Sequence, residues 1–399
     1  MINIDELSLE EKIGQLFLIG LEEKNISEET RTIIQQYKIG GFILYKKNYN
    51  SYKEMLKTIN ELKNLNKCNK IPLFIAIDKE GGRVNRMPKD FLNLKSPKDL
   101  VEKKDITLLK DSIDITSEML IKTGINMNIA PVLDIQRFRD NHPIGDRCYG
   151  KNKKDVCKYG VEAMKQMQNN GLISVIKHFP GHGATKTDSH YGLPVVARKI
   201  SKIENDDILP FKKAIKDGAD CIMVGHLVIK DIDRFFPVSL SKKIINKYLR
   251  EKLNYDGVVI TDDIKMQAIN FFYGAKLATK RALMVGNDIV MMRLGYKKEK
   301  EIIRKLLNNK KIINIIDEKV KRVLALKEKY NIEDKIAGGC DINKINSKIK
   351  KINEMIWNKE GKDNRDIRDI PKNIWKKLLY FAQNQYDYIN TPEILHFEF

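Results

Sequence analysis

Eight short apolar runs constrain the fold of this chain more than any other feature. They are Gln15–Gly20, Gly41–Tyr45, Leu73–Asp78, Ile125–Asp134, Ile173–His178, Cys221–His226, Gly257–Asp262 and Asp288–Met292, each bounded by Gly, Asn, Asp or His. A strand covered on one face alternates apolar and polar residues, whereas a near-continuous apolar run needs cover on both faces. Between most of the runs lie charged segments of helical period, such as Tyr52–Asn66, Asp155–Asn169, Asp207–Lys216 and Lys242–Leu253. Buried strands alternating with amphipathic helices predict an α/β fold, a (β/α)8 barrel of the TIM type. The alternative is a doubly wound open sheet, but the sequence carries no GxGxxG or phosphate-loop pattern to mark a nucleotide crevice. The first and last runs are the weakest strand candidates. Ahead of the first, Ser8-Leu-Glu-Glu11 reads as a capping box that starts a short helix.

Polar residues recur where the apolar runs stop: Asp78, Asp134, Lys177-His178, His226 and Asp262-Asp263. In a barrel these ends share one rim, so the side chains are expected to converge on one pocket. The barrel pattern finishes near Tyr330, and Ala337-Gly338-Gly339-Cys340-Asp341 then breaks the chain. Residues 1–335 are therefore expected to form the barrel, and 336–399 a short helical C-terminal extension. Helical stretches are expected at Ile342–Trp357 and Ile374–Gln383, with Trp357, Ile374, Trp375, Leu378, Leu379 and Phe381 as an apolar face.

Composition narrows the setting. With 42% hydrophobic residues in 399, the chain can bury a full core. Lys and Arg number 73 against 53 Asp and Glu, a net +20 that invites a nucleic-acid reading. The lysines are scattered over helical faces without long basic runs, so solvated surface is the better reading and no nucleic-acid partner is expected. The five cysteines (Cys68, Cys148, Cys157, Cys221, Cys340) form no CxxC, which suits reduced thiols in the cytoplasm. The amino terminus has no basic segment before an apolar one, and no run reaches the roughly 18 apolar residues of a membrane span. A soluble, unprocessed protein without membrane insertion is expected.

The densest constellation is Lys177-His-Phe-Pro-Gly-His-Gly-Ala-Thr-Lys-Thr-Asp188-Ser-His190-Tyr-Gly-Leu-Pro194, which holds three of the six histidines. Its Gly, Pro, Ser and Thr content makes it a loop. Metal binding by His178, His182, Asp188 and His190 is one reading, though neither a helical HxxxH nor a nearby cysteine supports it. Satisfying backbone groups and binding phosphate are two more. The leading reading is an acid–base device, in which Asp188 holds one nitrogen of His190 and leaves the other to move a proton.

Lys177–Gly183 followed by Asp188-Ser-His190 and Leu193-Pro194 resembles glycoside hydrolase family 3, in its β-N-acetylglucosaminidase branch. Four further segments agree, in that family's order: Asp78-Lys-Glu-Gly-Gly-Arg-Val-Asn-Arg86, Asn128–Asp134, Gly145-Asp-Arg147-Cys-Tyr-Gly150 and Gly257–Met266. The resemblance runs from about Leu9 to Tyr330. It implies Asp262 as nucleophile, with Asp263 as the rival that alternation along a strand would turn away. It implies His190 as acid/base with Asp188 as its partner, and Asp78, Arg86, Arg147, Lys177 and His178 as sugar contacts. The implied activity is retaining exo-hydrolysis of N-acetylglucosamine from peptidoglycan-derived fragments, with no metal and no cofactor. A β-glucosidase-like or phosphorolytic relative, or an inactive carbohydrate-binding barrel, are the alternatives. Lys79 and Cys148-Tyr149 depart from the family's usual Gln and Ser-Phe.

Overall fold

The computed structural model describes residues 2–137, 144–183, 185 and 192–358. All eight apolar runs contain a parallel strand: β1 Phe17–Gly20, β2 Gly41–Leu44, β3 Phe74–Ile77, β4 Met127–Asn128, β5 Ile173–Phe179, β6 Cys221–Val224, β7 Val258–Thr261 and β8 Val290–Met292. Each pairs with its sequence neighbour from β1 to β7, and β8 returns to β1 with Phe17 opposite Val290. A bridge between Ile260 and Ile289 joins β7 to β8 and closes the ring. The fold is a (β/α)8 barrel. The first and last runs, the least secure in the sequence, supply the closing pair.

Alternate residues of the strands fill the barrel, with Leu18, Ile43, Phe74, Met127, Val175, Met223, Ile260 and Met291 in one buried cluster. The other face of the strands packs on the helices, so both faces are dry and the runs lack polar alternation. At the N-terminal end Lys327 closes the barrel. Its Nζ donates to Gln15 Oε1 at 2.7 Å, Gly40 O at 2.9 Å and Pro72 O at 2.6 Å. Ser8 and Glu11 form the expected capping box, with Glu11 N donating to Ser8 Oγ at 3.2 Å and Ser8 N to Glu11 Oε2 at 2.8 Å.

Past the barrel, the helix Ile342–Asn358 buries Ile345, Ile349, Ile352 and Ile356 at the spacing of one helical face. Those four join the core that also holds Tyr52, Phe91 and Leu94, and residues up to Ile356 belong to one compact unit with the barrel. The stretch Ile374–Gln383 and the apolar face expected from it lie outside the described residues. Among the described residues, no helix is long and apolar enough to cross a membrane.

Candidate active site

Past its last residue each strand releases its backbone from the sheet, and the side chains that follow are free to face the rim. β3 hands over to Asp78, after which Lys79–Gly81 pairs antiparallel with Val84–Asn85. This hairpin lies across the rim and carries Glu80, Arg83 and Arg86. β5 delivers Lys177 and His178, and the segment Gly145–Arg147 delivers Arg147.

Glu80 is the hub of the arrangement. Arg147 donates to it twice, Nε to Oε2 and Nη2 to Oε1, both at 2.8 Å. Lys177 Nζ lies 2.5 Å from Glu80 Oε1 and donates to Asp78 Oδ1 at 2.9 Å. Burial alone would raise the Glu80 pKa and lower that of Arg147. Their mutual charge, with Lys177 adding to it, reverses both, so the carboxyl lies well below the usual carboxylate range and the guanidinium stays charged. In the sequence Glu80 stands inside the Asp78–Arg86 segment with no role assigned to it. Its position between Asp78 and Arg83 was the available signal.

Asp134 does for His178 what Glu80 does for Arg147. It is fully buried at the end of the β4 run, accepts from or pairs with His178 Nδ1 at 2.7 Å, and takes the backbone N–H of His182 at 2.6 Å. Burial pushes its pKa up, but the facing His178 outweighs this and holds the carboxyl ionised. The His178 ring is thereby fixed with its other nitrogen turned away from Asp134. His182 is different. Burial, then the neighbouring His178, pull its pKa down to about 4, and Thr185 Oγ1 lies 2.8 Å from its Nδ1. It is a neutral structural ring near pH 7. His226, another residue expected on the rim, is also buried. Its Nδ1 meets Ser239 Oγ at 2.8 Å and its Nε2 the Asp263 carbonyl at 3.2 Å, so it braces the β7 end from behind.

β7 ends at Thr261, and the next residue, Asp262, is half-buried with Oδ1 accepting from Asp263 N at 2.8 Å. The expectation that only one of the two aspartates would face the barrel mouth does not hold, because both line the cavity. Strand alternation stops with the strand, and the chain turns between them. Asp263 is the more buried. Its Oδ1 takes Lys265 N at 2.9 Å, and Oδ2 lies 3.5 Å from Arg293 Nε. Burial raises its pKa.

The cavity measures about 550 Å³. Asp78, Arg86, Arg147, Lys177, His178 and Asp262, all named from sequence, line it, over an apolar floor that includes Ile129, Met223 and Met291. Asp188 and His190 lie outside the described residues. The described residues on either side of them make fixed contacts. A Cβ on Gly183 would meet Ile135 O at 1.9 Å, so that backbone is pressed against the β4 run. Near the other flank, Arg198 pairs with Asp207, which also accepts from Arg137 Nε at 2.9 Å. Lys79 points away from the cavity. It is buried, donates to Asn93 Oδ1 at 2.8 Å, and burial, with Lys46 adding, brings its pKa down to about 7.

The barrel rim thus gathers three carboxylates, Asp78, Asp262 and Asp263, and the cations Arg86, Arg147 and Lys177 around one cavity. The family model for the glycosyl hydrolase family 3 N terminal domain matches residues 8–326, and the chain belongs to that family of glycoside hydrolases. It is similar to beta-hexosaminidase A of Pseudoalteromonas piscicida, 33% identical over 69% of this chain, and spans 49% of that protein's length. Similarity to the beta-hexosaminidase of Hydrogenovibrio crunogenus is 30% over 71% of this chain and 81% of that protein. Among solved structures, the family 3 β-N-acetylglucosaminidase of Paenibacillus sp. str. FPU-7 superposes with a TM-score of 0.81. It is 31% identical and covers 87% of this chain and 68% of its own.

Proposed function

We propose that the chain is a retaining exo-β-N-acetylglucosaminidase that cleaves non-reducing N-acetylglucosamine from peptidoglycan-derived fragments. The observation that carries this reading is the placement of Asp262 in one cavity with Asp78, Arg86, Lys177 and His178. Relatives named beta-hexosaminidase and a β-N-acetylglucosaminidase of matching fold support the sugar.

In this reading the sugar occupies the cavity, with Asp78 accepting from its hydroxyls and Lys177, Arg86, Arg147 and His178 donating to its oxygens. Asp262 attacks the anomeric carbon while the glycosidic oxygen departs with a proton from His190. The result is a glycosyl ester on Asp262. His190 then takes a proton from water as the water attacks the same carbon, and two inversions return the β configuration. Asp188 orients the imidazole and favours its protonated form. Glu80 and Asp134 touch no substrate in this scheme. They fix Arg147, Lys177 and His178 before the sugar arrives, which lowers the reorganisation needed during reaction. The chemistry calls on no cofactor.

Turnover of an aryl N-acetyl-β-glucosaminide against the matching aryl β-glucoside tests the reading. A strong preference for the N-acetylated sugar, with the β anomer as first product by NMR, is expected. Preference for the glucoside, or an initial α anomer, would overturn it.

A further inference from the structure

Arg293 was given no part by the sequence, and it has an unusual seat. It follows β8, so its natural neighbour is β1, yet its side chain crosses the end of β1 to reach Tyr45 past β2. Gly20 makes this crossing possible: a Cβ there would meet Arg293 Cγ at 2.8 Å, Cβ at 3.2 Å and Cδ at 3.3 Å. The guanidinium carbon then lies over the Tyr45 ring, 4.7 Å from its centre. Its Nε is buried and has no hydrogen-bond acceptor among the described residues. Asp263 Oδ2, at 3.5 Å, is near enough for charge pairing but outside hydrogen-bond geometry.

Lys46 and Lys47 follow Tyr45 and line the same cavity at its exposed edge. Across the cavity, Lys177 is paired with Asp78 and Glu80, and Arg147 with Glu80. The two sides therefore differ. On the β3–β5 side Lys177 and Arg147 are neutralised by fixed carboxylates and suit the neutral oxygens of a sugar, while Arg86 Nε is buried without an acceptor among the described residues. On the β8–β2 side Arg293, over the Tyr45 ring and 3.5 Å from Asp263 Oδ2, stands beside Lys46 and Lys47, so three cations share one carboxylate ion-paired to Arg293. An exo-acting pocket takes its terminal sugar inward, so the exposed edge faces the leaving portion of the substrate.

We propose that Arg293, with Lys46 and Lys47, forms an aglycone subsite that recognises a carboxylate. This deepens the glycosidase reading and rests on it. A planar guanidinium fork matches a planar carboxylate, and its contact with the Tyr45 ring restrains it in advance. The ligand is a monoanion because Asp262 and Asp263 line the same cavity and would repel a doubly charged group.

The test uses 3-carboxy-4-nitrophenyl N-acetyl-β-glucosaminide and its methyl ester, with the acid-to-ester ratio of kcat/KM compared between wild type and variants so that leaving-group and folding effects cancel. The wild-type protein should favour the acid, less so as salt rises. Arg293→Ala should lower the acid-to-ester ratio about tenfold or more, the scale of one hydrogen bond to a charged group. Lys47→Ala should lower it less, and Arg293→Lys should restore part of it. A wild-type ratio that salt leaves unchanged, or a preference that survives Arg293→Ala, overturns the subsite while leaving the glycosidase reading intact. Failure to turn over either compound overturns the glycosidase reading and the subsite with it.

Discussion

Replacing Glu80 by Gln tests whether the sugar donors are positioned from behind. Glu80 is 2% exposed, and its partners Lys177 and Arg147 are 3% and 16% exposed at the side chain. Glutamine keeps the shape but brings an amide N–H₂ toward a cation, strips Arg147 of its paired carboxylate and leaves Lys177 with Asp78 alone. Removing one member of a buried ion pair costs about 3–5 kcal/mol. For a unit of about 350 residues, with unfolding entropy of roughly 2.1 cal/mol/K per residue, the Tm should fall by about 4–7 °C. Because pairing depresses the Glu80 pKa, its contribution is complete above the unfolded value near 4.5 and is lost as pH falls through the lower folded value. The Tm gap should therefore be constant from neutral pH down to about 4.5 and narrow only below it. A displaced charged donor is worth about 1.5–3 kcal/mol to the ligand, so kcat/KM should fall about 10- to 100-fold. In the proposed reading Lys177 and Arg147 hold the sugar in ground and transition states alike, so KM should carry most of the loss. Glu80→Asp, one methylene shorter, should fall in between. A Gln variant with wild-type melting and kinetics would refute the reasoning.

His190→Ala should still form the glycosyl-enzyme from a good aryl leaving group but hydrolyse it slowly, giving a burst of phenol and rescue by azide. Asp188→Asn should show a milder form, and raised KM with neither burst nor rescue would count against the dyad. Glu299 offers a pH test of stability. Burial raises its pKa to about 8, with Oε1 accepting from Leu294 N at 3.0 Å and Oε2 buried without a partner among the described residues. Its folded pKa exceeds the unfolded one, so its contribution is complete below about 4.5 and is lost as pH rises through about 8. Glu299→Gln should flatten the decline in Tm across that window, and an unchanged slope would show that another group causes it.

The barrel was legible because burial on both faces leaves a mark that no other strand environment leaves, and every run from Gln15 to Met292 held a strand. The rim was legible in part. Asp78, Lys177, His178 and Asp262 stand where the strands end, so position along the chain is also position in the site. His226 and Asp134 stand at ends too, yet they face inward as braces, and nothing in a linear pattern separates a residue that touches ligand from one that holds its neighbour. Glu80 and Arg293 were missed for a related reason. Glu80 depends on Arg147 and Lys177, 67 and 97 positions away, and Arg293 on Gly20 of the adjacent strand β1, distant in sequence though next to it in the ring. The Asp262–Asp263 turn shows the limit of periodicity, which holds within a strand and lapses one residue beyond it.

The central claim is that Asp262 becomes covalently bound to the sugar. An N-acetylglucosaminyl fluoride carrying fluorine at C5 slows both steps, and a good leaving group lets the ester accumulate. Peptide mapping by mass spectrometry should then find one sugar mass on the peptide containing Asp262, with fragmentation placing it on that residue. Asp262→Ala should abolish the label, while Asp263→Asn should still acquire it. A label on Asp263, or full turnover with no label on either residue, would contradict the account.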